Sequence, residues 1–395
     1  MLMRRGVAIV TLGLLAAAAS GAWLYRVYFT ATSYALQRAE SLSLRRMVVA
    51  QLDGQGSYRF FFATNRDEEP GPAPIEERFG TTRAPALAFG SFDVDIEPSL
   101  GLGMLINPTE WLQNHEIQLR ETRLLEQREF LARLGTVVDR SPGRALLVVV
   151  HGFREAFPSA LRKTAFLAHV LDLNAAIVLF DWPGNQGNSP RGYLNARQAA
   201  KASAADLARF VDLVASEVAP DRLSIMANSM GGQVVVDAFR ILHREPLPEG
   251  ARPPVEHVLL SAPDVDYREF NDEFAGALEA LASHTTIYVS SNDRALLASR
   301  LLNRRRRLGE SNLRPGQAES RLRVIDHDPN LDRIKVVDVT PVNRTRNFHN
   351  FSLETPEFYD DIYLRLSNPL VPQSRLAYPV EGPNGTVYWV LTRGR

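Results

Sequence analysis

The most informative part of the sequence is Leu223–Gly232, LSIMANSMGG. It predicts a buried strand, a tight turn and the start of a helix. That context is typical of the Gly-x-Ser-x-Gly nucleophile elbow, in which a serine on a strained turn exposes its hydroxyl above a sheet. Ala227 and Gly231 fill the two small-residue positions, where strand and helix backbones must approach closely. The pattern indicates Ser229 as a nucleophile, with a helix N-cap as the alternative role for this serine.

The chain around this stretch alternates between apolar runs and segments with helical spacing. Continuous apolar runs predict strands that helices cover on both faces, which is typical of a mostly parallel sheet. We therefore predict an α/β-hydrolase fold. The predicted strands are Ala145–Val150, Ala175–Asp181, Arg222–Ala227, Val255–Ser261, Thr285–Ser290 and Ile334–Val339, and the predicted helices include Phe157–Val170, Asn195–Val218 and Gly231–Leu242.

The base that partners Ser229 is expected near the end of the chain, because the order in this fold is serine, acid, histidine. Of the 8 histidines, His327 and His349 follow a candidate acid. His349 comes one loop after Ile334–Val339, a position from which it can reach across the end of the sheet. We favour His349, and keep His327 in its turn-like Asp-His-Asp-Pro setting as the alternative.

The acid is expected where a late strand ends. Asp293 comes after Thr285–Ser290, separated from it by Ser291 and Asn292, and is our choice, although it is also placed to cap the helix that begins at Arg294. Asp264, after the preceding strand, is the alternative acid. Asp264 has acidic neighbours at Asp266 and Asp272, but no histidine or glutamate is spaced to complete a metal site, so caps and turns explain these residues better.

His151-Gly152-Phe153 follows the first strong apolar strand, at the position that supplies one backbone donor of the oxyanion hole in this fold. The second donor comes from the residue after the nucleophile. We therefore expect the N–H groups of Phe153 and Met230 to face the developing oxyanion. His151 itself is interpreted as a residue that holds the loop by hydrogen bonds. No metal or organic cofactor is needed for this chemistry.

The N-terminus predicts contact with a membrane. Arg4 and Arg5 precede an uncharged run from Val7 to Tyr25, close to the roughly 20 residues of a membrane-spanning helix. The same run also resembles a secretory signal with a cleavage site at Ser20-Gly21-Ala22. We favour an uncleaved anchor that places the domain on the extracytoplasmic, periplasmic side, over a protein secreted after cleavage.

The rest of the chain divides by composition. Residues 1–30 are predicted to be the signal anchor or signal peptide, 31–57 a linker, and 58–395 the α/β-hydrolase domain. Within that domain, residues 58–144 carry short strand candidates and are expected to pack against the core at 145–370. The Arg-rich segment 303–323 is interpreted as a solvated loop, with binding of an anion or a lipid headgroup as the alternative.

Bulk composition excludes several classes of function. The 395-residue chain carries 45 basic and 45 acidic residues, so no net field favours nucleic acid. It has no cysteine, which excludes disulfides, thiolate metal sites and a cysteine nucleophile. The hydrophobic share of 45% is that of a globular protein with a sizeable core.

Several sequence blocks together resemble a bacterial α/β-hydrolase family of unknown function. The resemblance implies the fold, the set Ser229, Asp293 and His349, and a place among esterase- or lipase-like serine hydrolases, but no substrate. The family usually has histidine where this chain has Asn228, a neighbour outside that set. The blocks are Phe61–Arg66, Val150–Phe153, Leu179–Pro183, Ala227–Gly231, Ala262–Asp266 and Asn292–Leu296.

The sequence thus predicts a serine hydrolase that cleaves carboxylic esters, including lipidic acyl esters, through an acyl-enzyme. An amidase would use the same groups. The alternative from another class is a non-catalytic envelope protein that uses the fold as a binding scaffold, because a fold alone does not guarantee a function.

Overall fold

The apolar run Ala145–Val150 lies inside a sheet of 11 strands in the computed structural model. The strands are β1 (Ser57–Glu68), β2 (Phe79–Ile96), β3 (Ile117–Leu125), β4 (Ala145–Val150), β5 (Ala176–Asp181), β6 (Arg222–Asn228), β7 (Val255–Ser261), β8 (Ala282–Val289), β9 (Ile334–Asp338), β10 (Ala377–Glu381) and β11 (Val387–Leu391). Their order is β10-β11-β9-β8-β7-β6-β4-β5-β1-β2-β3. Among these strands, β2 and β10 are antiparallel to their neighbours, and the other nine are parallel to one another.

The structure describes most of the chain, with gaps. Most of the predicted anchor and most of the predicted linker lie outside the described residues. Among the helices that the structure does describe, none is both long enough and apolar enough to cross a bilayer. The described residues are 13, 16, 18–20, 47–52, 56–96, 117–243, 254–311, 333–345, 349, 351–367, 376–381 and 387–393.

Helices cover both faces of the sheet because its strands are apolar on both faces. Alternate residues of β4 belong to two separate apolar clusters, with Leu146 and Val148 in one and Leu147 and Val149 in the other. The helices are α1 (Gln127–Arg140), α2 (Phe157–Leu171), α3 (Pro190–Leu213), α4 (Gly231–Leu242), α5 (Tyr267–Glu269), α6 (Ala275–Leu281), α7 (Arg294–Asn303), α8 (Phe351–Glu354) and α9 (Pro356–Ser367). Side chains of α1, α3, α4 and α6 join the first cluster, and those of α2, α8 and α9 join the second.

The N-terminal part of the domain extends this sheet, whereas the sequence suggested a region that packs against the core. β1 pairs in parallel with β5, from Phe61 opposite Val178 to Thr64 opposite Asp181, and β2 and β3 follow at the edge. The reason is burial on both faces: Phe61 joins one apolar cluster and Phe60 the other. A strand covered in this way is an interior strand of the sheet.

The last residues of the predicted linker belong to the folded domain. Met47 is fully buried, and its N–H donates to the Asp172 carboxylate at 3.0 Å. The N–H groups of Val48 and Val49 both donate to Asn174 Oδ1 at 3.0 Å. The chain therefore joins the domain about ten residues earlier than residue 58.

A buried ion pair ties β1 to β5. The Arg66 guanidinium, at the end of β1, donates to both carboxylate oxygens of Asp181, at 2.7 and 3.1 Å. Its remaining donors reach the carbonyl oxygens of Gly80 and Glu155, at 3.0 and 2.7 Å. Burial opposes ionisation of Asp181, but the charge of Arg66 and a hydrogen bond from His151 hold the pKa of this carboxyl below its ordinary value.

We expect Asp181→Asn to destabilise the protein by roughly 3–5 kcal/mol, because it leaves the buried Arg66 charge without its counter-ion. The measurement is urea unfolding at neutral pH. The matched control is Glu129→Gln, which breaks an exposed i,i+4 pair with Arg133 and is expected to cost only about 0.3–0.5 kcal/mol. Equal effects of the two substitutions would contradict the structural importance of the buried pair.

Candidate active site

Ser229 occupies a sharp turn between β6 and α4. Its backbone has φ 53°, a left-handed conformation that costs a residue with a side chain on the order of 1–3 kcal/mol. Three backbone hydrogen bonds hold it. The Ser229 N–H donates to Ser261 O at 2.8 Å, and its carbonyl accepts from the N–H groups of Gly232 and Asp264, each at 3.0 Å. The elbow predicted at Leu223–Gly232 therefore has the expected strand, turn and helix.

The small residue at Gly231 is required by the close approach of α4 to the end of β4. A Cβ at this position would lie 2.4 Å from His151 O and 2.8 Å from Val150 O, both backbone atoms. No side chain fits there without moving the strand. This contact explains why the second small-residue position of the elbow holds glycine, while Ala227 is accommodated in the buried strand β6.

The structure brings Ser229, His349 and Asp293 together. His349 Nε2 lies 3.0 Å from Ser229 Oγ, and His349 Nδ1 lies 2.7 Å from Asp293 Oδ2. A carboxylate can only accept, so Nδ1 carries the imidazole proton and Nε2 is placed to accept one from the serine hydroxyl. A hydroxyl within hydrogen-bond reach of an imidazole that a third group orients is the arrangement by which a base can activate a serine.

Asp293 serves two partners at once. It is the N-cap of α7, where its Oδ1 accepts from the Leu296 N–H at 2.9 Å while Oδ2 accepts from His349. The cap therefore fixes the carboxylate that orients the imidazole. The alternative base, His327, lies outside the described residues.

The alternative acid, Asp264, has other partners. Its Oδ1 accepts from Arg307 Nε at 2.5 Å and from Ser299 Oγ at 2.6 Å, and its Oδ2 accepts from Tyr193 Oη at 2.8 Å. The Arg307 side chain is fully buried against it. The interpretation of segment 303–323 as a solvated loop is therefore wrong at Arg307, because a buried carboxylate needs a buried cation. Within the described part of that segment, Arg304–Arg306 are exposed as expected.

The two residues after Arg307, Leu308 and Gly309, form a short segment that links the loop after β7 to the loop after β8. The N–H groups of Leu308 and Gly309 donate to Val265 O and Pro263 O, at 2.8 and 2.9 Å. On its other side, Ser290 N–H donates to Gly309 O at 3.0 Å. This segment therefore joins the loop that binds the Ser229 carbonyl to the loop that carries Asp293.

The two predicted oxyanion donors lie beside Ser229. A Cβ built on Gly152 would be 3.2 Å from the Ser229 Cβ, so the loop after β4 touches the elbow, and Phe153 is the next residue. Met230 is the N-cap of α4, where the helix dipole also favours negative charge. Within the described part of the chain, neither the Phe153 nor the Met230 N–H has a hydrogen-bond acceptor. Both donors are available to a ligand.

His151 fixes that loop from beneath. Its Nε2 lies 2.9 Å from Asp181 Oδ1, and its ring stacks on Trp182 with an interplanar angle of 5°. The Trp182 indole N–H returns a hydrogen bond to His151 O at 2.9 Å. The structure thus gives His151 the loop-holding contacts expected of it. Arg66 and Asp181 complete this buried cluster, and sequence reasoning assigned no role to either.

A cleft of about 1060 Å³ opens above these groups. Across the described segments, no group of histidine, aspartate and glutamate side chains is arranged to hold a metal ion. Asp266, one of the three aspartates weighed above, caps α5. Residues that line the cleft include Phe153, Tyr193, Ser229, Leu296, Leu302 and His349.

Comparison with solved structures gives remote matches to esterases. A cold-adapted esterase from an Arctic intertidal metagenomic library is 12% identical, over 80% of this chain and 97% of its own, with a TM-score of 0.37. Esterase 2 of Thermogutta terrifontis is 13% identical, over 56% of this chain and 82% of its own, with a TM-score of 0.30. The ydeN gene product of B. subtilis is 12% identical, over 56% and 99% of the two chains, with a TM-score of 0.30. These likenesses are too weak to carry an argument about activity.

Comparison with curated proteins gives no match. Comparison with family models gives a match. The model described as "Alpha/beta hydrolase of unknown function (DUF900)" matches residues 126–364. That span runs from the start of α1 to the last helix and contains Ser229, Asp293 and His349. The chain therefore belongs to the DUF900 family of α/β hydrolases.

Proposed function

We propose that the protein is a serine hydrolase that cleaves carboxylic esters, lipidic acyl esters included. The observation that carries the proposal is the unbroken hydrogen-bond chain from Ser229 through His349 to Asp293. This convergence supports catalysis over a non-catalytic scaffold in the cell envelope, because a binding protein has no need of a strained serine aligned with a base.

In the proposed mechanism, Ser229 Oγ attacks the ester carbonyl carbon while His349 Nε2 takes the hydroxyl proton. The carbonyl oxygen becomes an oxyanion, which the Phe153 and Met230 N–H groups stabilise. One such donor is typically worth about 2.7–4 kcal/mol. The tetrahedral intermediate collapses, the alcohol leaves with the proton from His349, and the acyl group remains on Ser229. Water, activated by the same imidazole, then releases the acid.

We expect Ser229→Ala to lower kcat by about 10⁴–10⁶-fold on short- and medium-chain p-nitrophenyl esters, because no other group replaces the nucleophile. The unfolding midpoint should not fall, since alanine keeps the backbone contacts of the turn. The control is Ser159→Ala, another serine that lines the cleft, whose hydroxyl donates to Glu155 instead of contacting His349. Wild-type activity in Ser229→Ala would contradict the assignment.

The pH profile provides a separate test of the base. Burial opposes a charge on His349, but the charge of Asp293, its hydrogen bond and the charge of Asp264 outweigh burial and raise the pKa of His349 above its ordinary value. The base must be neutral to accept a proton. We therefore expect kcat/KM to fall as the pH drops through a value above about 6.5, the ordinary pKa of histidine.

Asp293→Asn should shift the fall of kcat/KM at low pH (the acid limb) to lower pH, because it removes the charge that raises the pKa of His349. It should also lower kcat by about 10⁴-fold, because it removes the carboxylate that fixes the tautomer of His349. The control is Asp212→Asn, at an exposed position of α3, which should leave the limb in place. An acid limb that stays in place in Asp293→Asn would refute the role of Asp293.

We also propose that residues 1–30 attach the enzyme to a membrane on its extracytoplasmic side. The support is the uncharged run from Val7 to Tyr25 behind Arg4 and Arg5. With the full chain expressed in a bacterial host, an intact N-terminus in the alkali-washed membrane fraction is expected. A mature N-terminus close to residue 23 would indicate a cleaved signal instead. Full-length protein in the soluble fraction would contradict both.

A further inference from the structure

After its exposed first residue, Arg294, the outward face of α7 is apolar. Its exposed positions from 295 to 302 are Ala295, Leu297, Ala298, Leu301 and Leu302, which we call the entrance face. Leu301 is 71% exposed, and Leu297 and Leu302 are about half exposed. The opposite side of α7 packs against the domain, where Leu296 and Ser299 are buried. A surface helix in water normally turns polar residues outward. The apolar entrance face is therefore better suited to contact with an apolar partner than with water.

The entrance face lies at the mouth of the cleft. Ala295, Ala298 and Leu302 line the same cleft as Ser229. The start of α3 packs beside it, where Tyr193 Oη lies 2.8 Å from Ser299 Oγ, and the neighbouring Leu194 is 47% exposed. Four of the six large apolar side chains that are exposed in the described part of the chain are thus on these two helices.

A fixed group of positive charges follows the entrance face directly. Arg304–Arg306 are all exposed, whereas Arg307 is buried and bonded to Asp264. The buried ion pair of Arg307 therefore restricts the position of Arg304–Arg306, which lie in the chain between it and the end of α7. Arg305 lies 3.8 Å from Asp266, and among the described residues neither Arg304 nor Arg306 forms an ion pair. The exposed guanidinium groups of Arg304 and Arg306 can therefore contact an external anion.

We propose that the entrance face docks onto the surface of an anionic phospholipid bilayer. The leucines would enter the boundary between headgroups and acyl chains, and Arg304–Arg306 would contact the lipid phosphates. Exposed apolar residues beside clustered basic residues are the two elements of binding at a membrane surface. Docking of a second copy is disfavoured, because a twofold contact through this face would bring two groups of three arginines together.

This surface is independent of the proposed chemistry, although it would place a lipidic ester at the cleft. Its test therefore needs no substrate. The chain has no cysteine, so Leu301→Cys in the full chain accepts a single polarity-sensitive fluorophore at the centre of the entrance face. Tyr378→Cys, at an exposed position on the edge strand β10, is the matched control.

We expect the label at position 301 to shift to the blue with vesicles of equal parts phosphatidylglycerol and phosphatidylcholine. The label at position 378 should not respond, even when the N-terminus itself binds the vesicles. Pure phosphatidylcholine should give at least about fivefold weaker binding. Replacing Arg304–Arg306 with glutamine should weaken binding to the anionic vesicles by roughly tenfold or more. Ser229→Ala should not change the response, which separates this test from that of catalysis.

Three outcomes would overturn the proposal. The first is a label at position 301 that responds no more than the label at position 378. The second is a label at position 301 that responds equally to the two kinds of vesicle. The third is a blue shift that appears without vesicles as the protein concentration rises, which would assign the entrance face to a second copy of the chain. Circular dichroism of each variant confirms that the exposed substitutions leave the fold intact.

Discussion

The site depends on one strained residue. Ser229 adopts φ 53° because its N–H donates to Ser261 O at the end of β7, while its C=O accepts from Asp264 in the next loop and from Gly232 in the first turn of α4. Those bonds offset the strain and aim the hydroxyl out of the sheet, toward His349. The conformation leaves no room for a side chain at Gly231, where helix and strand touch. The geometry of the nucleophile therefore follows from backbone contacts that the whole sheet maintains.

Two buried ion pairs hold the loops around this residue. Arg66 and Asp181 lie beneath the loop of Phe153, with His151 as the link, and Arg307 and Asp264 lie behind the turn of Ser229. Each charge is expensive to bury alone, and each is hydrogen-bonded to a partner of opposite charge. Such pairs add little net stability, but they permit few alternative arrangements of the loops. We infer that they preserve the alignment of donors, base and nucleophile.

The sequence was informative where function and local structure coincide. Ser229 directly follows β6, Asp293 lies in the short loop after β8, and His349 comes one loop after β9, so apolar runs and the chain order of the fold located them. The partners Arg66, Asp181 and Arg307 were not predicted, because Arg66 and Asp181 are 115 residues apart in the chain and no spacing rule connects them. For the same reason, the pairing of β1 with β5 could not be read from either strand. Arg307 was hidden in an arginine run of which only the first three residues are exposed.

The central claim is that Ser229 is the activated nucleophile of this fold. The most direct measurement is reaction of the full chain with a fluorophosphonate, followed by digestion and mass spectrometry of the peptides. We predict a single covalent adduct on Ser229, formed more slowly in His349→Ala. An adduct on another serine of the cleft, such as Ser299 or Ser352, or no adduct at all on folded protein, would contradict the account.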